Sequence, residues 1–64
     1  MYTIKTLTTG QAWFLNPIEK PTQDTNDRIQ FAIGHLDEAV RLCTRINQTK
    51  KLRKLGYWIT VRID

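Results

Sequence analysis

The fold turns on residues 29–46, Ile29-Gln30-Phe31-Ala32-Ile33-Gly34-His35-Leu36-Asp37-Glu38-Ala39-Val40-Arg41-Leu42-Cys43-Thr44-Arg45-Ile46. Ile29, Ala32, Leu36, Ala39, Cys43 and Ile46 recur at spacings of 3, 4, 3, 4 and 3, with Ile33 and Val40 widening the stripe. Gln30, Asp37, Arg41 and Arg45 take the opposite side, which is the pattern of an amphipathic helix. The spacing predicts a helix from about residue 26 to 47. Asp24, Thr25 or Asn26 would serve as its N-cap, because a short side-chain oxygen accepts from the first free backbone donors. Beyond Ile46 the phase fails. Lys50 and Arg53 fall where the stripe would continue, whereas Leu52 and Leu55 lie roughly 180–240° around a continuous helix. A break or bend near Asn47-Gln48 would re-aim both leucines, and Gly56 would end the segment, since glycine tolerates the left-handed conformation found past helix ends.

Outward from the helix, both flanks read as strands. Tyr2-Thr3-Ile4-Lys5-Thr6-Leu7-Thr8-Thr9 is rich in β-branched and aromatic residues and runs into Gly10-Gln11. Ala12-Trp13-Phe14-Leu15 continues as a second strand, which Asn16-Pro17 closes because proline donates nothing to a ladder. Ile18 to Thr25 reads as a loop. Tyr57-Trp58-Ile59-Thr60-Val61-Arg62-Ile63 is the best strand in the chain, with Tyr57, Ile59, Val61 and Ile63 on one face and Trp58, Thr60 and Arg62 on the other. The expected fold is therefore α+β, a β-β-α-β chain. Its three-stranded antiparallel sheet has order 2-1-3, with one amphipathic helix packed on one face. Trp58, Thr60 and Arg62 would then stand on the uncovered face, beside either Trp13 and Leu15 or Ala12 and Phe14.

Length and composition set limits on function. The chain has 64 residues, 41% hydrophobic and 25% charged, which fits one small folded domain spanning 1–64 and leaves no room for a multidomain enzyme. Its net charge of +4 is unevenly spread. Up to Glu38, Lys5, Lys20 and Arg28 face Glu19, Asp24, Asp27, Asp37 and Glu38, a net −2. From Ala39 to Ile63 come Arg41, Arg45, Lys50, Lys51, Arg53, Lys54 and Arg62 with no acid, a net +7. Such asymmetry points to an acidic or polyanionic partner for the basic end. The lone Cys43 cannot form an intramolecular disulfide, and no secretory leader or apolar membrane span is apparent. A cytoplasmic protein is expected.

Catalytic groups are sparse. Serine is absent, which removes Ser-His-Asp chemistry. On one helix His35 and Cys43 stand eight residues apart, roughly 12 Å along the axis, too far for a thiolate-imidazole pair. His35, Asp37 and Glu38 are close in sequence without converging on one point, so no metal ligand set is expected. Gly10, Gly34 and Gly56 are too dispersed to cradle phosphates. No enzyme, cofactor or metal is expected.

Two features exceed an ordinary small domain. Lys50-Lys51-Leu52-Arg53-Lys54 puts four cations in five residues at a helix end, suited to an acidic groove or to phosphates. Trp58 stands on the polar side of its strand with Arg62, and both are types enriched in interface hot spots. Arg41, Arg45, Lys50, Lys51, Arg53, Lys54, Trp58 and Arg62 are thus the candidate partner-binding residues. In size and layout the chain resembles the small proteins that phages and mobile elements encode against host enzymes and defence systems, anti-CRISPR proteins among them. That resemblance implies a stoichiometric inhibitor or regulator of a larger protein or nucleoprotein complex, acting in the host cytoplasm. The alternative is a small DNA- or RNA-binding module using the basic 41–54 segment, although no helix-turn-helix, zinc-finger or RNP-type motif accompanies it. No membrane partner is expected, and a thin core leaves a homodimer open.

Overall fold

The computed structural model describes residues 1–7 and 10–63. The chain is a small α+β domain with an antiparallel sheet and one main helix. Its elements are β1 (Tyr2–Leu7), β2 (Phe14–Leu15), β3 (Pro21–Thr22), a 3-10 turn (Ile33–His35), α1 (Leu36–Asn47), a single-turn α2 (Lys50–Arg53) and β4 (Tyr57–Arg62). The sheet is four-stranded in the order β3-β2-β1-β4, which corrects the expected three-stranded 2-1-3 sheet. The additional strand comes from the supposed loop after Pro17. Asn16 ties that connection with its side chain, Oδ1 accepting from Ile18 N at 3.1 Å and Lys20 N at 2.8 Å, while Asn16 N donates to Lys20 O at 2.9 Å. This brings Pro21 opposite Leu15 and Thr22 opposite Phe14. Glu19 carries the turn at φ 61°, a left-handed conformation unusual for a residue with a Cβ. The predicted strand through Thr8 and Thr9 extends beyond the described residues.

The helix begins ten residues later than periodicity predicts. Asp24 caps no helix: its Oδ1 accepts from Asn26 N at 2.9 Å and its backbone carbonyl from Asp27 N at 3.0 Å, a local turn of the kind aspartate favours. Ile29 and Phe31 supply backbone partners to the sheet instead of a helical face. Ile29 N donates to Leu15 O at 2.7 Å, and Phe31 forms a two-way bridge with Tyr2 at 2.9 and 2.8 Å. Ladder bonds and helix bonds compete for the same N–H groups, and here the ladder takes residues 29–31. The true stripe is short: Ala39, Cys43 and Ile46 are buried, while Ile33, Leu36 and Val40 remain exposed.

The break after Asn47 is present. Gln48 N and Thr49 N close α1 onto Arg45 O at 3.1 Å and Ile46 O at 3.0 Å, and Thr49 is extended (φ −92°, ψ 115°) before α2 restarts. The change of direction puts Leu52 in the core with Ile4, Leu15, Cys43, Ile46 and Trp58, and Leu55 against its edge. Gly56, at φ 137°, makes the reversal into β4.

The sheet face chosen by the helix also differs from expectation. Opposed residues on antiparallel strands share a face, and the register pairs Ile4 with Thr60 and Thr6 with Trp58. Those residues face α1, so Trp58 is fully buried rather than standing on the uncovered face. Lys5, Leu7, Tyr57, Ile59 and Val61 occupy the far side, joined by Phe14, the partner of Lys5. Both faces of β4 carry large apolar groups, so alternation alone does not choose between them. The indole decides it, because it covers the most apolar surface and finds a partner for its N–H (below).

Candidate functional site

α2 is held from beneath by Trp58. Leu52 inserts into the core, and its backbone carbonyl accepts from Trp58 Nε1 at 2.9 Å. A one-turn helix of four residues has little stability of its own, so this anchor fixes where Lys50, Lys51, Arg53 and Lys54 project. All four are exposed, and among the described residues none forms a salt bridge to a carboxylate. Arg53 lies over the Tyr57 ring, 5.2 Å from its centroid, which orders the guanidinium without neutralising it.

Trp58 is itself gripped. Asn47, in the last turn of α1, reaches across to the edge of β4, where its Oδ1 accepts from Trp58 N at 2.8 Å and its Nδ2 donates to Trp58 O at 2.9 Å. Only one orientation of the amide satisfies both bonds. The Cys43 thiol also donates to Trp58 O, at 3.0 Å. Burial pushes the Cys43 pKa above its ordinary value, and the nearby Thr60 hydroxyl moderates the rise. Thr60 Oγ1 approaches that thiol without meeting hydrogen-bond geometry, and it is buried with no hydrogen-bond partner.

The candidate partner-binding residues therefore separate into groups. Lys50, Lys51, Arg53 and Lys54 form one basic knob. Arg41 and Arg45 are engaged elsewhere: Arg41 donates to Asp37 Oδ2 at 2.8 Å and holds that carboxyl below its usual range, and Arg45 meets Glu19 Oε1 at 2.9 Å, tying α1 to the β2–β3 turn. Arg62 is exposed at the far end of β4. Trp58 has no exposed surface and acts as the pedestal of the knob. Sequence reasoning passed over Asn47 and Thr60. Asn47 carries a usable signal, a polar residue in the turn after a buried isoleucine and just before a phase break, but nothing in sequence shows that its target lies 11 residues away.

Two depressions flank the β4–α1 and α2 regions. One, of about 430 Å³, runs between α1 and the outer edge of β4 and includes Val40, Thr44, Asn47, Gln48 and Thr60 in its lining. The other, of about 450 Å³, lies between the β2–β3 turn and α2 and includes Ile18, Lys20, Pro21, Lys51 and Leu52. Among the described residues no three of His, Cys, Asp and Glu gather as a metal site, and no helix is long and apolar enough to cross a membrane. Comparison with protein-family models, curated proteins and solved structures gives no match.

Proposed function

We propose that this chain is a non-enzymatic binding protein, a stoichiometric inhibitor or regulator that docks its basic knob on an acidic surface of a larger protein or nucleoprotein complex. Phage and mobile-element accessory proteins, anti-CRISPR proteins among them, are the functional class it suits, with the host cytoplasm as its place of action. The observation that carries this reading is the contrast among its arginines and lysines. Arg41 and Arg45 already have carboxylate partners within the chain, whereas among the described residues Lys50, Lys51, Arg53 and Lys54 share one turn, anchored through Leu52 O, without any. Four like charges held together repel one another, and an acidic partner relieves that cost.

The test is affinity capture from nuclease-treated extract with wild-type protein and with a Lys50→Glu, Lys51→Glu, Arg53→Glu, Lys54→Glu variant. The reading expects a stoichiometric protein partner, lost on charge reversal, with both proteins equally folded by circular dichroism. Capture that survives charge reversal refutes it. Retention of duplex or single-stranded nucleic acid at low ionic strength, weakening steeply with salt, would transfer the knob to phosphate binding.

A further inference from the structure

The two edges of the sheet are unlike. β3 is two residues long and begins with Pro21, which has no N–H to offer, so that edge is blunt. β4 is six residues long, and among the described residues no strand pairs with its outer side. Its hydrogen-bonding directions follow from alternation along an antiparallel pair. Ile63 N donates inward to Met1 O at 3.0 Å, so Val61, Ile59 and Tyr57 also face β1, and Trp58, Thr60 and Arg62 face out. At Trp58 the outward N–H and C=O are taken by the Asn47 amide, which imitates a neighbouring strand for one residue. At Thr60 nothing among the described residues takes that place, and the groove against α1 opens there, with Thr60 in its lining.

We propose that the outer edge of β4 at Thr60 accepts an extended acidic segment of the partner protein as an added strand, an inference that rests on the binding-protein reading above. Main-chain bonds to Thr60 would supply the register, and the groove between β4 and α1 would receive side chains from one face of the incoming strand. Charge selects the occupant. The knob stands at the Tyr57 end of β4, and among the described residues its four cations have no carboxylate partner. A second copy fits poorly. Antiparallel self-pairing about Thr60 sets Arg62 of each chain opposite Trp58 of the other, beside the α2 cations, and like charges facing across a strand pair are unfavourable.

A 64-residue chain can be made by chemical synthesis, so Thr60 can be replaced by N-methyl-threonine, which deletes the outward donor and adds bulk while leaving the inward ladder untouched. Thr60→Pro is the genetic counterpart, and tryptophan fluorescence and near-ultraviolet dichroism check that each variant is folded. The probe is a fluorescent eight-residue peptide of alternating glutamate and valine, with an alternating lysine and valine peptide beside it. The expected results are binding of the acidic peptide only, protection of the Thr60 amide from hydrogen exchange on binding, and affinity about tenfold or more weaker in the N-methyl chain. Failure of the acidic peptide to bind, or equal affinity for the two folded chains, overturns strand addition. If extract capture is then still lost on charge reversal of the knob, the binding-protein reading stands alone. If charge reversal also leaves capture intact, both fall. A concentration-dependent dimer in sedimentation, abolished by N-methylation, would assign the edge to a second copy and overturn the acidic occupant.

Discussion

Asn47→Ala removes both halves of the grip on Trp58. The two losses differ in kind. Trp58 is fully buried, so its N–H, now bonded to Asn47 Oδ1 at 2.8 Å, becomes an orphaned donor costing about 1–3 kcal/mol. Its carbonyl loses the 2.9 Å bond from Nδ2 but keeps the Cys43 thiol at 3.0 Å, so that part costs about 0.5–1.5 kcal/mol. Together the substitution should destabilise the domain by about 1.5–4.5 kcal/mol, a large share of what a protein this size holds. A domain of this length loses roughly 4–8 °C of melting temperature per kcal/mol, so a fall of about 6–36 °C is expected. Urea and thermal unfolding followed by tryptophan fluorescence measure it. Asn47→Asp is the informative companion. It keeps an acceptor for Trp58 N but turns a carboxylate on Trp58 O, so its deficit should shrink as pH falls and the protonated acid regains a donor. A loss below about 0.5 kcal/mol for Asn47→Ala would show that water replaces the amide at no cost and would refute the account of the edge given above.

Trp58→Phe deletes the bond to Leu52 O at 2.9 Å, and a loss of about 1–3 kcal/mol is expected in urea unfolding, with increased hydrogen exchange in α2 as the specific sign. Gly56→Ala places a Cβ on a residue at φ 137°, so about 1–3 kcal/mol of destabilisation should appear in the same assay. Cys43 should react with a thiol reagent only as fast as the native state opens, because its thiol is buried and protonated. Its folded pKa lies above the ordinary 9.0, so its contribution to stability is complete below pH 9.0 and lost as pH rises through the folded value. Cys43→Ala should flatten the alkaline limb of the stability–pH profile, and an unchanged limb would show the thiol is not its source.

Much of the architecture was legible from local pattern. The Ala39–Cys43–Ile46 stripe, the phase failure at Lys50, the Gly56 reversal and the strand beginning at Tyr57 all depend on neighbours in sequence, and they stand where periodicity places them. What pattern missed depends on partners distant along the chain. Ile29 fits a helical stripe as well as it fits a strand, and only the availability of Leu15 O, with Tyr2 engaging the neighbouring Phe31, draws this stretch into ladder bonds. Trp58 and Ile59 compete for the same core face, and the competition is settled by a carbonyl on Leu52 that exists only once α2 has turned. The candidate site divides in the same way. The concentration of cations in 50–54 is a property of sequence, but Glu19 reaching Arg45 across 26 residues is a property of the fold. That contact removes Arg45 from the unneutralised set.

Pro21 and Asn47 mark two opposite treatments of a sheet margin. One side is terminated covalently, by a ring with no donor, and the other is terminated by a side chain that covers a single residue. Growth of the sheet is thereby directional. A strand received along β4 would find, among the described residues, no second receptive margin behind it, so strand addition would not pass from sheet to sheet. The backbone itself would then fix the count at one strand per molecule, whatever the partner.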